Sequence, residues 1–132
     1  MSAGLATLNF LNKNKTKIYP KINELGERTR TGLSKIFTDY KVDVETTGKG
    51  SLFLTHFLND RIRNIRNAYD VALATDGRLH KYHFALMSLF GIFFLPSKMG
   101  AISAKHSQVD VQNLITATTQ ILESGILSSK NN

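Results

Sequence analysis

The chain has 132 residues, 42% of them hydrophobic and 20% charged, which predicts one globular domain over 1–132 with a modest core and excludes a disordered chain. It contains no cysteine, so disulfides, thiolate metal sites and a cysteine nucleophile are all excluded, and a reducing cytoplasm is the expected setting. The formal charge is +7, which raises a polyanion as a partner and makes the placement of the cations the next question.

Leu5, Leu8 and Leu11 recur every third residue and predict a first amphipathic helix ending near Asn12 to Asn14. Met1 to Leu8 has no cationic leader, and the longest apolar run, Leu89 to Leu95, is broken by Gly91 and too short to span a bilayer. A soluble protein without a membrane partner is expected. Pro20 suits the first turn of a second helix, in which Ile22, Leu25, Thr29, Leu33, Ile36, Phe37 and Tyr40 follow i, i+3, i+4 spacing over about twenty residues. Gly26 and Gly32 each weaken such a helix by about 1 kcal/mol relative to Ala, so both read as places of close packing against another element. Seven cations lie between Lys13 and Lys35 (Lys13, Lys15, Lys17, Lys21, Arg28, Arg30, Lys35), and Arg61, Arg63 and Arg66 form a second group. They fall mostly on the outer face of a helix, with no aromatic platform or recognition-helix pattern beside them, so they read as a solvated face rather than a nucleic-acid site.

After Tyr40 the period changes to two. Val42, Val44 and Thr46 alternate with Asp43, Glu45 and Thr47, then Gly48-Lys49-Gly50 turns the chain into an apolar run from Ser51 to Leu58, predicting an antiparallel pair. The arginine segment reads as an exposed edge or loop. Leu79, Tyr82, Leu86 and Leu89 restore helical spacing, Gly91 suits a left-handed cap, and Ile92 to Leu95 reads as a buried strand stopped by Pro96. Ala101 to Ala104 returns as a short strand. Ser107-Gln108-Val109-Asp110 has the form of a capping box and opens a last helix through Val111, Leu114, Ile115, Thr118, Ile121 and Leu122, with Gly125 at its end and a polar, frayed tail from Ser128 to Asn132. The order predicts an α+β fold: an antiparallel sheet of about four short strands with helices packed on one face.

Several stretches together resemble a known family. Ala3-Gly4-Leu5-Ala6-Thr7-Leu8, Ile18-Tyr19-Pro20-Lys21-Ile22-Asn23-Glu24-Leu25-Gly26-Glu27-Arg28, Gly50-Ser51-Leu52-Phe53 with His56-Phe57, and Gly91-Ile92-Phe93-Phe94-Leu95-Pro96 with Ser103-Ala104-Lys105-His106 resemble, in order and spacing, the C-terminal part of glutamate-1-semialdehyde 2,1-aminomutase. That enzyme is of the class-III aminotransferase type, of pyridoxal phosphate fold type I. The resemblance implies a domain fragment whose large partner domain would carry the Schiff-base lysine, the aspartate paired with the pyridine nitrogen and the phosphate-binding loops. It also implies amino-group transfer in tetrapyrrole (porphyrin) precursor synthesis for the complete enzyme. One departure stands out: Ser97-Lys98-Met99-Gly100-Ala101-Ile102 is about two residues shorter than the family's stretch, by alignment of the flanking motifs, and lacks its glutamate.

The residues themselves offer no chemistry to the fragment. A Schiff-base lysine must be neutral, which takes burial or a neighbouring cation, and Lys105 and then Lys81 are the lysines set among apolar residues; Lys105 reads as an edge-strand charge in solvent. Gly48-Lys49-Gly50 joins two strands instead of opening a helix, so it reads as a turn and not a phosphate loop. His80 and His83 stand three apart on a helix with Asp76 as nearest acid, a poor metal set. His56 reads as a hydrogen-bonded core histidine, and His106 as a tie between the last strand and the last helix. The expectation is therefore that no catalytic, cofactor-binding or metal residue lies in this chain, that pyridoxal phosphate belongs to the complete enzyme, and that the partner is the missing large domain, or a second copy through the face it would cover. The alternative is a free-standing binding module using the basic surface for a polyanion.

Overall fold

A computed structural model describes residues 2–74 and 77–127. Along the chain it contains α1 (Ser2–Asp39), β1 (Val44–Thr47), β2 (Leu52–Phe57), α2 (Ala68–Ala74), α3 (Arg78–Phe90), β3 (Gly100–Ala101) and α4 (Gln108–Glu123). The strands form one antiparallel sheet in the order β1-β2-β3, with Val44 opposite Phe57 and Thr47 opposite Leu54 in the first pair. This is an α+β domain with three strands instead of about four. The difference lies at Ile92 to Leu95, which is not a strand: among the described residues it has no ladder partner, and its alternation leaves Phe93 and Leu95 exposed. The short strand expected at Ala101 to Ala104 is Gly100–Ala101, and Ile102 still donates to the Ser51 carbonyl at 2.8 Å before the chain turns away.

The two helices expected before β1 are one helix of 38 residues with Pro20 inside it. Proline removes one amide donor and usually breaks a helix. Here Pro20 and Thr16, whose carbonyl loses its partner, both lie on the exposed side, so the freed group is open to solvent. The helix α2, not expected from the sequence, is started by Asn67, whose side-chain oxygen accepts from the amides of Tyr69 at 2.9 Å and Asp70 at 3.1 Å.

Pleating puts Phe53, Thr55 and Phe57 of β2 on the face that α1, α3 and α4 cover. The centre is aromatic: Phe37 from α1, Phe57 from β2 and Tyr82 from α3 meet edge to face with centroids 5.5 to 5.9 Å apart. Leu33, Leu86 and Ile121, each at most 1% exposed, close the space around them, and burial of each such side chain contributes about 1.5–3 kcal/mol. The Tyr82 hydroxyl would be costly here without a partner, and it meets Thr118 Oγ1 of α4 at 2.7 Å. Burial raises its pKa above the ordinary phenol value, so the group stays neutral.

At the chain ends of these elements the expected signals operate. Gly91 adopts φ 66° and its amide caps α3. At the start of α4, Asp110 Oδ2 accepts from the Ser107 amide at 2.7 Å and from its hydroxyl at 2.8 Å. Those bonds hold the Asp110 carboxyl below its usual pKa. The expected tail from Ser128 to Asn132 lies outside the described residues. Among the described residues, no helix is long and apolar enough to cross a membrane.

Candidate functional site

The residues with chemical potential are dispersed. His56 sits on β2 with its Nε2 2.8 Å from Thr47 Oγ1, and burial lowers its pKa while Glu45, its cross-strand neighbour, opposes that shift. His106 Nδ1 accepts from the Ser103 amide and faces the Ser103 hydroxyl, both at 2.9 Å, closing the tight turn that leads into α4. His83 is buried and His80 is exposed, so the two point into different surroundings despite their spacing, and Asp76 lies outside the described residues. Among the described residues, no group of three metal-ligating side chains forms.

Neither lysine singled out in the sequence is fully buried. Lys105 is exposed on the turn before α4 and Lys81 is half-buried on the solvent side of α3. The Gly48–Gly50 turn presents a carbonyl instead of an amide nest: Gly50 O accepts from Arg30 Nη1 at 2.8 Å, and Leu52 O accepts from the same nitrogen at 2.7 Å. Arg30 is also paired with Glu27 at 2.6 Å, so this cation serves to fasten the hairpin to α1. Arg28 is paired with Glu24 at 2.9 Å, and Lys21 donates to the Ala104 carbonyl at 2.9 Å. Three cations of the long basic run are thus committed to the domain itself, and the polyanion reading is not favoured.

What the fold does present is an apolar surface. A cleft of about 790 Å³ opens between the segment from Phe90 to Leu95, the segment from Met99 to Ile102, and α4. Its floor is Phe53, with Phe94 packed edge-on at 5.9 Å, and its far wall is the polar side of α4 at Asn113, Thr116 and Gln120. The rim is unusual for a solvated surface: Phe93 is 70% exposed, Leu95 62% and Met99 53%. No acid lies between Ser97 and Ile102, and Asp110, which lines the cleft, spends its carboxylate on the α4 cap.

The second apolar surface is on α1. Leu33, Thr29, Leu25, Ile22 and Ile18 follow one helical face into the core, and the same face continues towards the N-terminus through Lys15, Leu11 and Leu8. Full burial ends at Ile18, and Leu11 is half-buried. Leu8 is 66% exposed and Leu5, beside the stripe, 62%. Sequence periodicity gave the leucines but split the helix, because Lys15 interrupts the stripe and Pro20 resembles a start.

No family profile matches the chain. Among curated proteins it is similar to glutamate-1-semialdehyde 2,1-aminomutase 2 of Lachnoclostridium phytofermentans, 30% identical over 125 residues, which cover 93% of this chain and 28% of that protein. It is 34% identical over 119 residues to the glutamate-1-semialdehyde 2,1-aminomutase of Methanothrix thermoacetophila, with 89% and 26% covered. Among solved structures it resembles a β-phenylalanine aminotransferase from Variovorax paradoxus, with TM-score 0.69 and 26% identity over 80% of this chain and 24% of the other. It also resembles a transaminase with PLP bound, with TM-score 0.62 and 25% identity over 83% of this chain and 24% of the other. The chain spans about a quarter of the length of the curated relatives it matches.

Proposed function

We propose that this chain, similar over about nine-tenths of its length to one quarter of the glutamate-1-semialdehyde 2,1-aminomutases, is the C-terminal domain of such an enzyme, packs on a cofactor-bearing domain and supplies one wall of a substrate cleft, without performing chemistry itself. The observation that carries this reading is the α1 stripe: the face that is buried at Leu33, Leu25 and Ile18 continues towards the N-terminus through half-buried Leu11 to exposed Leu8, with exposed Leu5 beside it. An apolar helix face left open to water marks a surface that another body covers. The exposed rim of the cleft at Phe93, Leu95 and Met99 calls for the same cover.

In the complete enzyme pyridoxal phosphate supplies the electron sink for amino-group transfer, on glutamate-1-semialdehyde in the formation of tetrapyrrole precursors. The residues of this chain shape and dry the cleft. A chimera tests the reading: the matching C-terminal quarter of the Lachnoclostridium phytofermentans aminomutase 2 is replaced by this chain. The expected product is soluble, carries one pyridoxal phosphate per chain, and loses solubility when Leu8 and Leu11 are both changed to Glu. A chimera that aggregates, while this chain alone is folded and monomeric with no exposed apolar surface detectable by dye binding, contradicts it.

A further inference from the structure

One buried polar group has no part in holding the core together. His83 is 4% exposed, its Nδ1 has no hydrogen-bond partner, and its ring lies flat on Phe94, with centroids 4.6 Å apart and planes 18° from parallel. Phe94 and Leu95 belong to the wall of the cleft, a segment tied elsewhere by the Ile92 amide to the Leu86 carbonyl at 3.0 Å and, past Leu95, by the Lys98 amide to the Leu95 carbonyl at 3.0 Å. A histidine on α3 thus stacks on the middle of a stretch that has no sheet partner among the described residues.

We propose that His83 is a latch that fixes the wall from Gly91 to Leu95: the neutral ring clamps Phe94, and a proton taken up at Nδ1 releases that wall while the helical core stays folded. The surroundings explain why a proton undoes the grip. On α3 the neighbours are His80 one turn earlier, which disfavours a second cation, and Tyr82, whose hydroxyl is committed to Thr118. The wall itself contributes a phenyl ring and a backbone, and behind Phe94 stands Phe53 of β2. None of these offers a carboxylate to an imidazolium. Burial accordingly lowers the pKa of His83 from 6.5 to about 4. A charged ring reaches water by leaving the stack, and the wall that covers it moves with it. For the docking reading above, the consequence is that Phe93 and Leu95 keep their outward presentation while the latch is closed; the latch itself is testable on this chain alone.

The experiment is a pH titration of the full chain by NMR from pH 7 to pH 3.5. Expected are a His83 ring titrating near pH 4, loss of the contacts between the His83 and Phe94 rings in that range, and exchange of the Ile92 amide at least tenfold faster than its intrinsic pH dependence allows. The amides of Leu114 and Ile121 keep their protection throughout. His83→Phe, which retains a flat ring without a titrating group, keeps the Ile92 amide protected across the range. A ring that charges while the stack persists, a titration near pH 6.5, or simultaneous loss of protection at Leu114 and Ile121 overturns the latch. Each of these outcomes is independent of whether a cofactor domain docks.

Discussion

Gly26→Ala is expected to destabilise the domain although it improves the helix. Alanine in a helix interior gains about 1 kcal/mol over glycine. Against that, a Cβ at position 26 would stand 2.1 Å from the Gly50 carbonyl oxygen and 3.0 Å from Gly50 C and Ser51 Cα, all backbone atoms that cannot rotate away. The hairpin must retreat by about 1 Å to restore ordinary contact. That retreat draws the Gly50 carbonyl from Arg30, whose bond at 2.8 Å involves a charged donor and is worth about 1.5–3 kcal/mol, and overpacking adds about 1–3 kcal/mol. The net loss is about 2–4 kcal/mol, a fall of about 1–2 M in the urea midpoint at an unchanged slope. Two controls separate the causes. At Gly32 the added carbon meets the tip of Ile115 at 2.5 Å, a side chain that can turn, so Gly32→Ala should stay within about 1 kcal/mol of the parent. At Gly4 nothing lies within 4 Å, and Gly4→Ala should leave stability equal or higher. A Gly26→Ala midpoint equal to or above the parent's would refute the account of the hairpin pressed on α1.

The folded-state pKa of His83 lies below its unfolded value of 6.5, so the folded chain holds fewer protons; the stability this gives is present above pH 6.5 and is lost as pH falls towards about 4. The loss amounts to at most about 3 kcal/mol, capped by the cost of opening the latch, and parallel denaturation of the parent and His83→Phe at pH 7 and pH 4.5 should show the smaller drop in the variant. Tyr82→Phe removes the bond to Thr118, which still donates to the Leu114 carbonyl at 2.8 Å, so thermal unfolding should report a loss of about 1 kcal/mol and no more than about 2. Leu5→Glu and Leu8→Glu together should change the stability of the isolated chain by less than about 0.5 kcal/mol, as surface substitutions do, while reducing its dye-accessible apolar surface.

Elements whose signals are local were readable from the sequence. The capping box at Ser107 and Asp110, the left-handed cap at Gly91 and the alternation on either side of Gly48 to Gly50 each need only a few neighbouring residues to act, and each operates in the structure. Gly26 also showed itself as a packing site, because a glycine inside a strong helical stripe needs a reason. The rest depended on context beyond the local pattern. Pro20 breaks a helix when its lost bond is buried, and no periodicity reveals that Thr16 faces water. Asn67 followed by Asp70 was a usable start signal for α2, overlooked because seven residues give too short a stripe to register. Ile92 to Leu95 has the composition of a strand but lacks a partner among the described residues, and pairing is a property of two segments. The cleft was not foreseeable, since it forms where that unpaired segment, β3 and α4 meet.

Under the proposed function this domain shapes a cofactor enzyme's cleft while the reactive lysine lies on other polypeptide. The most direct measurement is addition of pyridoxal phosphate to the purified chain, followed by borohydride reduction and mass spectrometry of the intact protein and its peptides. The account predicts scattered, substoichiometric labelling across exposed lysines with no saturable absorbance band. One cofactor fixed per chain at a single lysine, abolished by substituting that lysine, would contradict it.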